Sequence, residues 1–265
     1  MITHYKLFDK FFVNKYNNLV NNCLKGEGTA MTIHGLEKLS LVDFDGFVAA
    51  TVFTGGCNFR CPFCHNAALV TDTASLAVID EKEIFDYLNK RRGVIEGVCV
   101  TGGEPTLNPD LPVFCEKLKK LGLAVKVDSN GTNPDMLRTL AENGVVDRFA
   151  IDIKNDKKNY ARIIGYDAFD TRKIEKTVDF LLSGNTDYEF RTTIINEFHS
   201  ENNLIEIGKW LCGAKKYFLQ KFKNGENCLA AQNLTEVPQS KAEVLLNAVK
   251  PFVKAAKLRG YDLSG

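Results

Sequence analysis

The chain has 265 residues, of which 45% are hydrophobic and 25% charged, so it is long enough to bury one substantial core. Its 34 Lys and Arg residues nearly balance 33 Asp and Glu residues, and the net charge of +1 excludes an overall field that would gather nucleic acid or an anionic membrane. No apolar run approaches the roughly 20 residues that cross a bilayer, and charged residues interrupt the segment from Met1 to Leu24 where an export signal would lie. We therefore expect a cytoplasmic protein whose eight cysteines are thiols or metal ligands.

The first 30 residues differ from the rest of the chain. Aromatic and aliphatic residues recur at helical spacing from Tyr5 to Cys23, and a short segment rich in Gly and Lys follows them. This pattern predicts an N-terminal amphipathic helix and linker over residues 1–30. A separate folded domain is expected over residues 31–265.

Six apolar segments rich in β-branched residues predict buried strands at 48–54, 94–101, 123–128, 146–153, 188–195 and 217–222. Helical patterns lie at 81–92, 109–121, 136–143, 173–182, 204–212 and 241–259. Strands that alternate with helices predict βαβ units and therefore a parallel sheet. Six strands are too few for a complete barrel of eight, so the fold class is expected to be α/β with a partial parallel (β/α)6 barrel.

Polar residues cluster where the predicted strands end. A loop with three cysteines follows the first strand, and the other strand ends carry Gly102, Gly103 and Glu104, then Asp128, Ser129 and Asn130, then Asp152 and Lys154. Because the carboxyl ends of parallel strands meet at one edge of a sheet, we expect these residues to form an active site there. Arg191 lies within the fifth strand, which indicates a polar cavity or a buried ion pair. His199 is expected to be an exposed loop residue.

The cysteine loop contains Cys57, Cys61 and Cys64 in the spacing C-x-x-x-C-x-x-C. Three closely spaced thiolates suit an iron–sulfur cluster that has one iron left without a protein ligand, and that iron can bind a substrate directly. Three alternatives are a c-type haem, since His65 completes a C-x-x-C-H motif, a zinc site, and a thioredoxin-like redox pair. The other five cysteines are scattered singly and are expected to be small buried hydrophobes.

The sequence resembles the radical S-adenosylmethionine superfamily in the loop from Cys57 to Cys64. Within that superfamily, the stretches LSLVD at 39–43 and TGGCNFRCPFCHN at 54–66 resemble activating enzymes of glycyl-radical enzymes, and most of all the activator of anaerobic ribonucleoside-triphosphate reductase. The resemblance implies a 4Fe–4S cluster on Cys57, Cys61 and Cys64. S-adenosylmethionine would bind through its amino and carboxylate groups to the open iron.

The same resemblance implies roles for residues at the other strand ends. Gly102, Gly103 and Glu104 would face the methionyl amino group, Asp128, Ser129 and Asn130 the ribose and carboxylate, and Phe63 and His65 the adenine. Asp152 and Lys154 resemble the D-x-K motif of activating enzymes, and Arg191 would contact the cofactor. No cysteine lies between Cys64 and Cys99, so a single cluster is expected.

The implied activity is reductive cleavage of S-adenosylmethionine, followed by removal of a hydrogen atom from a glycine on a polypeptide loop of a partner enzyme. A flavodoxin or ferredoxin is the reductant expected from the resemblance. Other radical reactions on a peptide or a small molecule are alternatives, and a non-catalytic iron–sulfur electron carrier is the alternative of a different class.

Overall fold

A computed structural model describes residues 31–184 and 186–261. One sheet contains eight strands in chain order: β1 (Ile33–Ser40), β2 (Ala49–Thr54), β3 (Gly97–Gly102), β4 (Ala124–Ser129), β5 (Arg148–Asp152), β6 (Asp187–Ile194), β7 (Tyr217–Lys221) and β8 (Ala256–Arg259). β1 runs antiparallel to β2, and every later pair of neighbours is parallel. In the described residues β1 and β8 are the two edges of the sheet, so the parallel barrel is partial, as predicted.

Helices connect the parallel strands, and all six predicted helices are present. The helices are α1 (Ala67–Thr71), α2 (Glu81–Lys90), α3 (Leu111–Lys120), α4 (Pro134–Glu142), α5 (Tyr160–Ile163), α6 (Arg172–Ser183), α7 (Glu201–Trp210) and α8 (Gln239–Val249). Local capping fixes several of their starts, because the Asp80 side chain accepts a hydrogen bond from the Lys82 N–H at α2 and Ser200 forms a capping box with Asn203 at α7. Each helix buries an apolar face, for example Ile84 and Leu88 of α2.

The predicted count of six strands is too low by two. β1 was not predicted, and the helix predicted over 241–259 ends at Val249. A short 3₁₀ turn at Lys250–Phe252 follows it and contains Pro251, which cannot continue a helix. The chain then extends into β8, which pairs with β7.

The loop between β1 and β2 closes the end of the barrel where the parallel strands begin. Phe44 in this loop is 1% exposed and lies 5.2 Å from the Arg148 guanidinium. The Asp43 carboxylate accepts a hydrogen bond from Thr51 Oγ1 at 2.7 Å, and the Asp43 carbonyl accepts one from Lys126 Nζ at 2.7 Å. The opposite end, where strands β2 to β6 finish, is therefore the end that can hold a site.

The predictions for residues 1–30, including the amphipathic helix, lie outside the described residues. Of the scattered cysteines, Cys99 and Cys115 are buried as predicted, and Cys228 is partly buried. Cys212 lies in the turn after α7 and is exposed in the described part of the chain, so the prediction that it is a buried hydrophobe is wrong. Over the two described ranges, no helix is long and apolar enough to cross a membrane.

Candidate active site

A cavity of 190 Å³ lies at the carboxyl end of the parallel strands. All fourteen residues predicted from the sequence line it: Cys57, Cys61, Phe63, Cys64, His65, Gly102, Gly103, Glu104, Asp128, Ser129, Asn130, Asp152, Lys154 and Arg191. They come from the cysteine loop after β2, from the ends of β3, β4 and β5, and from β6. The alternation of strands and helices is thus sufficient to bring together residues that are more than 130 positions apart in the sequence.

The cysteine loop is tied to neighbouring strand ends by two asparagines that the sequence analysis did not single out. Asn58 Nδ2 donates to Thr132 Oγ1 at 2.8 Å, and Asn58 Oδ1 accepts from Asn130 Nδ2 at 2.8 Å. Asn66 Nδ2 donates to the Gly102 carbonyl at 3.1 Å. The only sequence signal for both residues is their position beside the cysteines.

Gly102 and Gly103 allow the start of the cysteine loop to lie directly against the end of β3. A Cβ added to Gly103 would lie 2.0 Å from the Gly56 carbonyl oxygen, and one added to Gly102 would lie 2.4 Å from the Thr54 amide nitrogen. Backbone hydrogen bonds run from Gly103 to Thr54 and from Glu104 to Gly56, both at 2.8 Å. Close backbone packing therefore requires glycine at both positions. The close approach of a ligand, which the resemblance implies, is a second reason for glycine there.

Gly102→Ala is expected to destabilise the protein by about 2–4 kcal/mol, because the new methyl group meets backbone atoms that cannot rotate away. Gly122→Ala is the matched control, since Gly122 also has a positive φ, 82° against 116°, but has nothing within 4 Å of the added Cβ. It should cost about 1 kcal/mol. Urea unfolding of both variants measures the difference, and equal losses would show that the contact with Thr54 is unimportant.

The three thiols of the loop line the same cavity, and two of them are held in the protonated form by burial. Burial raises the pKa of Cys57, and it raises the pKa of Cys61, which is 6% exposed, to about 12. A buried thiol with a high pKa becomes a thiolate only when a bound cation compensates its charge, so the donor set fits a metal group. Among the described residues no three His, Cys, Asp or Glu side chains converge on one point, and thiolates that bind different irons of a cluster have no need to converge.

Glu104 joins the ends of β3 and β4. Its carboxylate is 1% exposed and accepts hydrogen bonds from Thr106 Oγ1 at 2.5 Å, Ser129 Oγ at 2.8 Å and the Asn130 amide at 2.6 Å. Burial raises the pKa of this carboxyl, while these donors act in the opposite direction. Glu104 therefore positions Ser129 and Asn130 at the cavity wall.

Arg191 connects two carboxylates across the barrel. Its Nε donates to Asp152 Oδ1 at 2.8 Å, and its Nη1 donates to Asp128 Oδ2 at 2.9 Å. Burial by itself would raise the pKa of both carboxyls, but the guanidinium holds the pKa of Asp128 below its ordinary value and that of Asp152 well below. The two possibilities left open by the sequence are thus combined, because Arg191 lines the polar cavity and also forms buried ion pairs.

Two lysines complete this network, and only Lys154 was predicted. Lys154 Nζ lies 3.0 Å from Asp152 Oδ2. Lys126, in the middle of β4 and 3% exposed, lies 2.8 Å from Asp128 Oδ1, an atom that accepts no hydrogen bond from the described residues, so this contact is an ion pair without hydrogen-bond geometry. The Asp128 and Asp152 carboxylates are thus paired with three cations, Lys126, Lys154 and Arg191, while Glu104 adds a third carboxylate to the cavity lining. Lys154 and Arg191 are the two cationic side chains of the lining that suit a carboxylate ligand.

Phe63 and His65 lie on the side of the cavity formed by the end of β7. The Phe63 ring is 6.5 Å from the Phe222 ring, and Lys154 Nζ lies 5.8 Å from the Phe63 centroid. His65 Nε2 is within 2.6 Å of the Lys223 carbonyl oxygen. Their proposed contact with adenine stays a prediction.

His199 is 2% exposed, so the prediction of an exposed loop histidine is wrong. Its Nδ1 accepts a hydrogen bond from the Ile195 amide at 3.0 Å, and its Nε2 lies 3.0 Å from the Lys154 carbonyl oxygen. Only the neutral ring with a proton on Nε2 satisfies both contacts. Burial lowers the pKa of His199 to about 4.

The low pKa of His199 predicts that the protein loses stability in acid. As the pH falls below the ordinary histidine pKa of about 6.5, the unfolded chain binds a proton on His199, whereas the folded protein does not until about pH 4. The free energy of unfolding should therefore fall by about 3 kcal/mol between these two pH values. His199→Gln should be less stable than the wild type at pH 7 but should lose about 3 kcal/mol less on acidification. Urea unfolding at pH 7, 5.5 and 4.5 tests this, and parallel curves for the two proteins would contradict it.

Comparisons with known proteins assign the chain to a family. The model of the radical SAM superfamily matches residues 51–202. A Methanocaldococcus jannaschii protein named as a candidate glycyl-radical enzyme activating enzyme is 29% identical over 195 residues, which cover 72% of this chain and 80% of the relative. The pyruvate formate-lyase-activating enzyme of Listeria monocytogenes is 32% identical over 135 residues, 46% of this chain and 52% of that enzyme.

A solved structure supports the fold. Streptococcus suis SuiB bound to S-adenosylmethionine superposes with a TM-score of 0.62 at 13% identity, covering 77% of this chain and 48% of SuiB. The family model spans more than half of the chain and includes the cysteine loop and the strand ends that form the cavity. The chain belongs to the radical SAM superfamily and is an enzyme that uses a 4Fe–4S cluster and S-adenosylmethionine.

Proposed function

We propose that the chain is an activating enzyme that installs a glycyl radical on a partner enzyme, and that the partner is an anaerobic ribonucleoside-triphosphate reductase. The observation that carries the proposal is the single cavity that brings the three thiols together with the cations Lys154 and Arg191. The names of the relatives from Methanocaldococcus and Listeria support the class of reaction. The stretches at 39–43 and 54–66 support the choice of partner.

Each group of residues would have a separate task. Cys57, Cys61 and Cys64 would hold three irons and leave the fourth open, and Arg191 with Lys154 would hold the carboxylate of S-adenosylmethionine. A cluster held by these cysteines would supply one electron for cleavage of the bond between sulfur and the 5′-carbon of S-adenosylmethionine, releasing methionine, and the resulting 5′-deoxyadenosyl group would take a hydrogen atom from the partner's glycine. The buried walls of the cavity would exclude water from this reaction.

The open edge of the barrel suits a polypeptide substrate. In the part of the chain that the structure describes, β1 and β8 do not pair, so the sheet does not close into a ring, and we propose that the partner approaches along this open edge. A glycine on a loop of another protein could enter there. We also propose a cytoplasmic location, a single cluster with about four irons per chain, and a flavodoxin or ferredoxin as reductant.

An anaerobic assay tests the proposed function. The reconstituted protein is reduced and incubated with S-adenosylmethionine and anaerobic ribonucleoside-triphosphate reductase, with pyruvate formate-lyase as the comparison partner. We expect 5′-deoxyadenosine in both reactions and the electron paramagnetic resonance signal of a glycyl radical on the reductase alone. 5′-Deoxyadenosine without a glycyl radical on either partner would point instead to another radical reaction.

A further inference from the structure

A groove of 650 Å³, which we call the flank groove, opens on the side of the barrel between α7 and the segment after β5. Its walls include Lys157, Lys158, Lys209, Asp156, Glu206 and Trp210, which is the only tryptophan of the chain. The Lys157 ammonium lies 5.2 Å from the Trp210 ring. None of these residues takes part in the site described above.

Two ring contacts connect the flank groove to the cysteine loop. The Trp210 ring lies 6.2 Å from the Tyr160 ring, which in turn lies 6.3 Å from Phe59, both in edge-on geometry. Phe59 is located between Cys57 and Cys61, and its amide donates to Cys57 Sγ at 3.4 Å. Since Tyr160 is fully buried and Phe59 is 2% exposed, the connection from Trp210 to the cysteine loop consists of closely packed protein.

The exposed charge of the flank groove is mostly positive. The Asp156 carboxylate is buried and accepts hydrogen bonds from Asn159 and Asn203, so it does not face a partner. Lys157 pairs with Glu175 at 2.6 Å and Lys209 with Glu206 at 2.7 Å, and such exposed pairs exchange partners at little cost. Lys158 is exposed and forms no ion pair with any residue the structure describes.

We propose that the flank groove docks the reductant, an acidic one-electron carrier protein, through its lysines and Trp210. The inference rests on the proposed function, since the reaction consumes one electron from outside the chain for each S-adenosylmethionine cleaved. The carrier loses one electron and the cluster gains it, and no proton or covalent bond changes place in this step. Trp210, Tyr160 and Phe59 act as the packed medium between the carrier and the cysteine loop and are not themselves reduced. Aromatic residues surrounded by complementary charge are also typical anchors of protein interfaces.

The rate at which the cluster is reduced by a carrier protein is compared with the rate at which a small molecule reduces it. A variant that slows only the first rate has lost docking of the carrier and has kept an intact cluster. Bleaching of the cluster absorbance is followed after mixing with hydroquinone flavodoxin, with reduced 2Fe–2S ferredoxin, or with photoreduced 5-deazaflavin, a small reductant that needs no docking surface. Lys158→Glu should slow reduction by the carriers about fivefold to tenfold and leave reduction by deazaflavin unchanged. Lys254→Glu is the matched control, because Lys254 is also exposed but lies just before β8 and is not part of the groove walls.

A second variant and a binding measurement complete the test. Trp210→Leu should slow reduction by the carriers by a similar factor, and unchanged reduction by deazaflavin would show that its fold and cluster are intact. Calorimetric titration with flavodoxin should give weaker binding for Lys158→Glu than for Lys254→Glu. Equal rates and affinities for the two lysine variants would overturn the proposal. Cleavage of S-adenosylmethionine driven by deazaflavin tests the proposed function separately.

Discussion

Cys61→Ala is expected to reduce both the iron content and the cleavage of S-adenosylmethionine by at least about 100-fold. Replacement of residues that only support a metal ligand already costs 10–100-fold, so loss of a direct ligand should reach the upper end of that range or exceed it. Cys61 is the most buried of the three thiols and lies in the same cavity as Lys154. Anaerobic reconstitution, iron quantitation and an assay for 5′-deoxyadenosine measure the effect.

Cys212→Ala provides the control, because Cys212 is exposed and is not among the residues that line the cavity. It should load iron and cleave S-adenosylmethionine like the wild type. Urea unfolding of both variants without iron separates a folding defect from the loss of a ligand, since removal of one buried sulfur should cost only about 1 kcal/mol. If Cys61→Ala retained iron and activity at the level of Cys212→Ala, the assignment of the three ligands would be wrong.

The central part of the fold was predictable because most residues of β2 to β6 are buried and the strands carry short apolar runs, such as AATVF in β2 and GVCV in β3. The two missed strands lack that pattern. β1 is an edge strand with three successive exposed residues, Glu37, Lys38 and Leu39, so its sequence does not alternate. β8 has only four residues and follows a lysine-rich segment whose helical pattern continues past Pro251.

The site was predictable to the extent that strand ends carry it. The cysteine spacing and the turn residues after each strand can be recognised from a short stretch of sequence. The residues that pair with one another inside the site cannot, because they are far apart in the sequence. Lys126 in the sequence LAVKVD has the ordinary appearance of a polar residue on the exposed face of a strand, and its contact with the Asp43 carbonyl joins positions 83 residues apart. Arg191 was recognisable as a cation in an apolar strand, but both of its carboxylate partners became visible only in the sheet register.

Arg191→Met is expected to destabilise the protein without cofactors by about 3 kcal/mol. Removing one partner from buried ion pairs typically costs 3–5 kcal/mol, and the lower end applies because Asp128 keeps Lys126 and Asp152 keeps Lys154. Arg191→Lys should recover part of the loss, since a single ammonium supplies the charge but cannot reach both carboxylates as the forked guanidinium does. Urea unfolding of the protein without iron measures these differences.

The matched control is Arg172→Met, which breaks another ion pair between arginine and aspartate. Arg172 lies 2.6 Å from Asp170, but both side chains are exposed, so solvent screens the pair and no measurable change is expected. After reconstitution, Arg191→Met should also bind S-adenosylmethionine at least about tenfold more weakly, because the carboxylate of S-adenosylmethionine loses a charge-assisted hydrogen-bond donor. Unfolding and binding curves of Arg191→Met that match those of Arg172→Met would mean that the network neither stabilises the barrel nor holds the cofactor; a loss of stability with unchanged binding would limit Arg191 to a structural role.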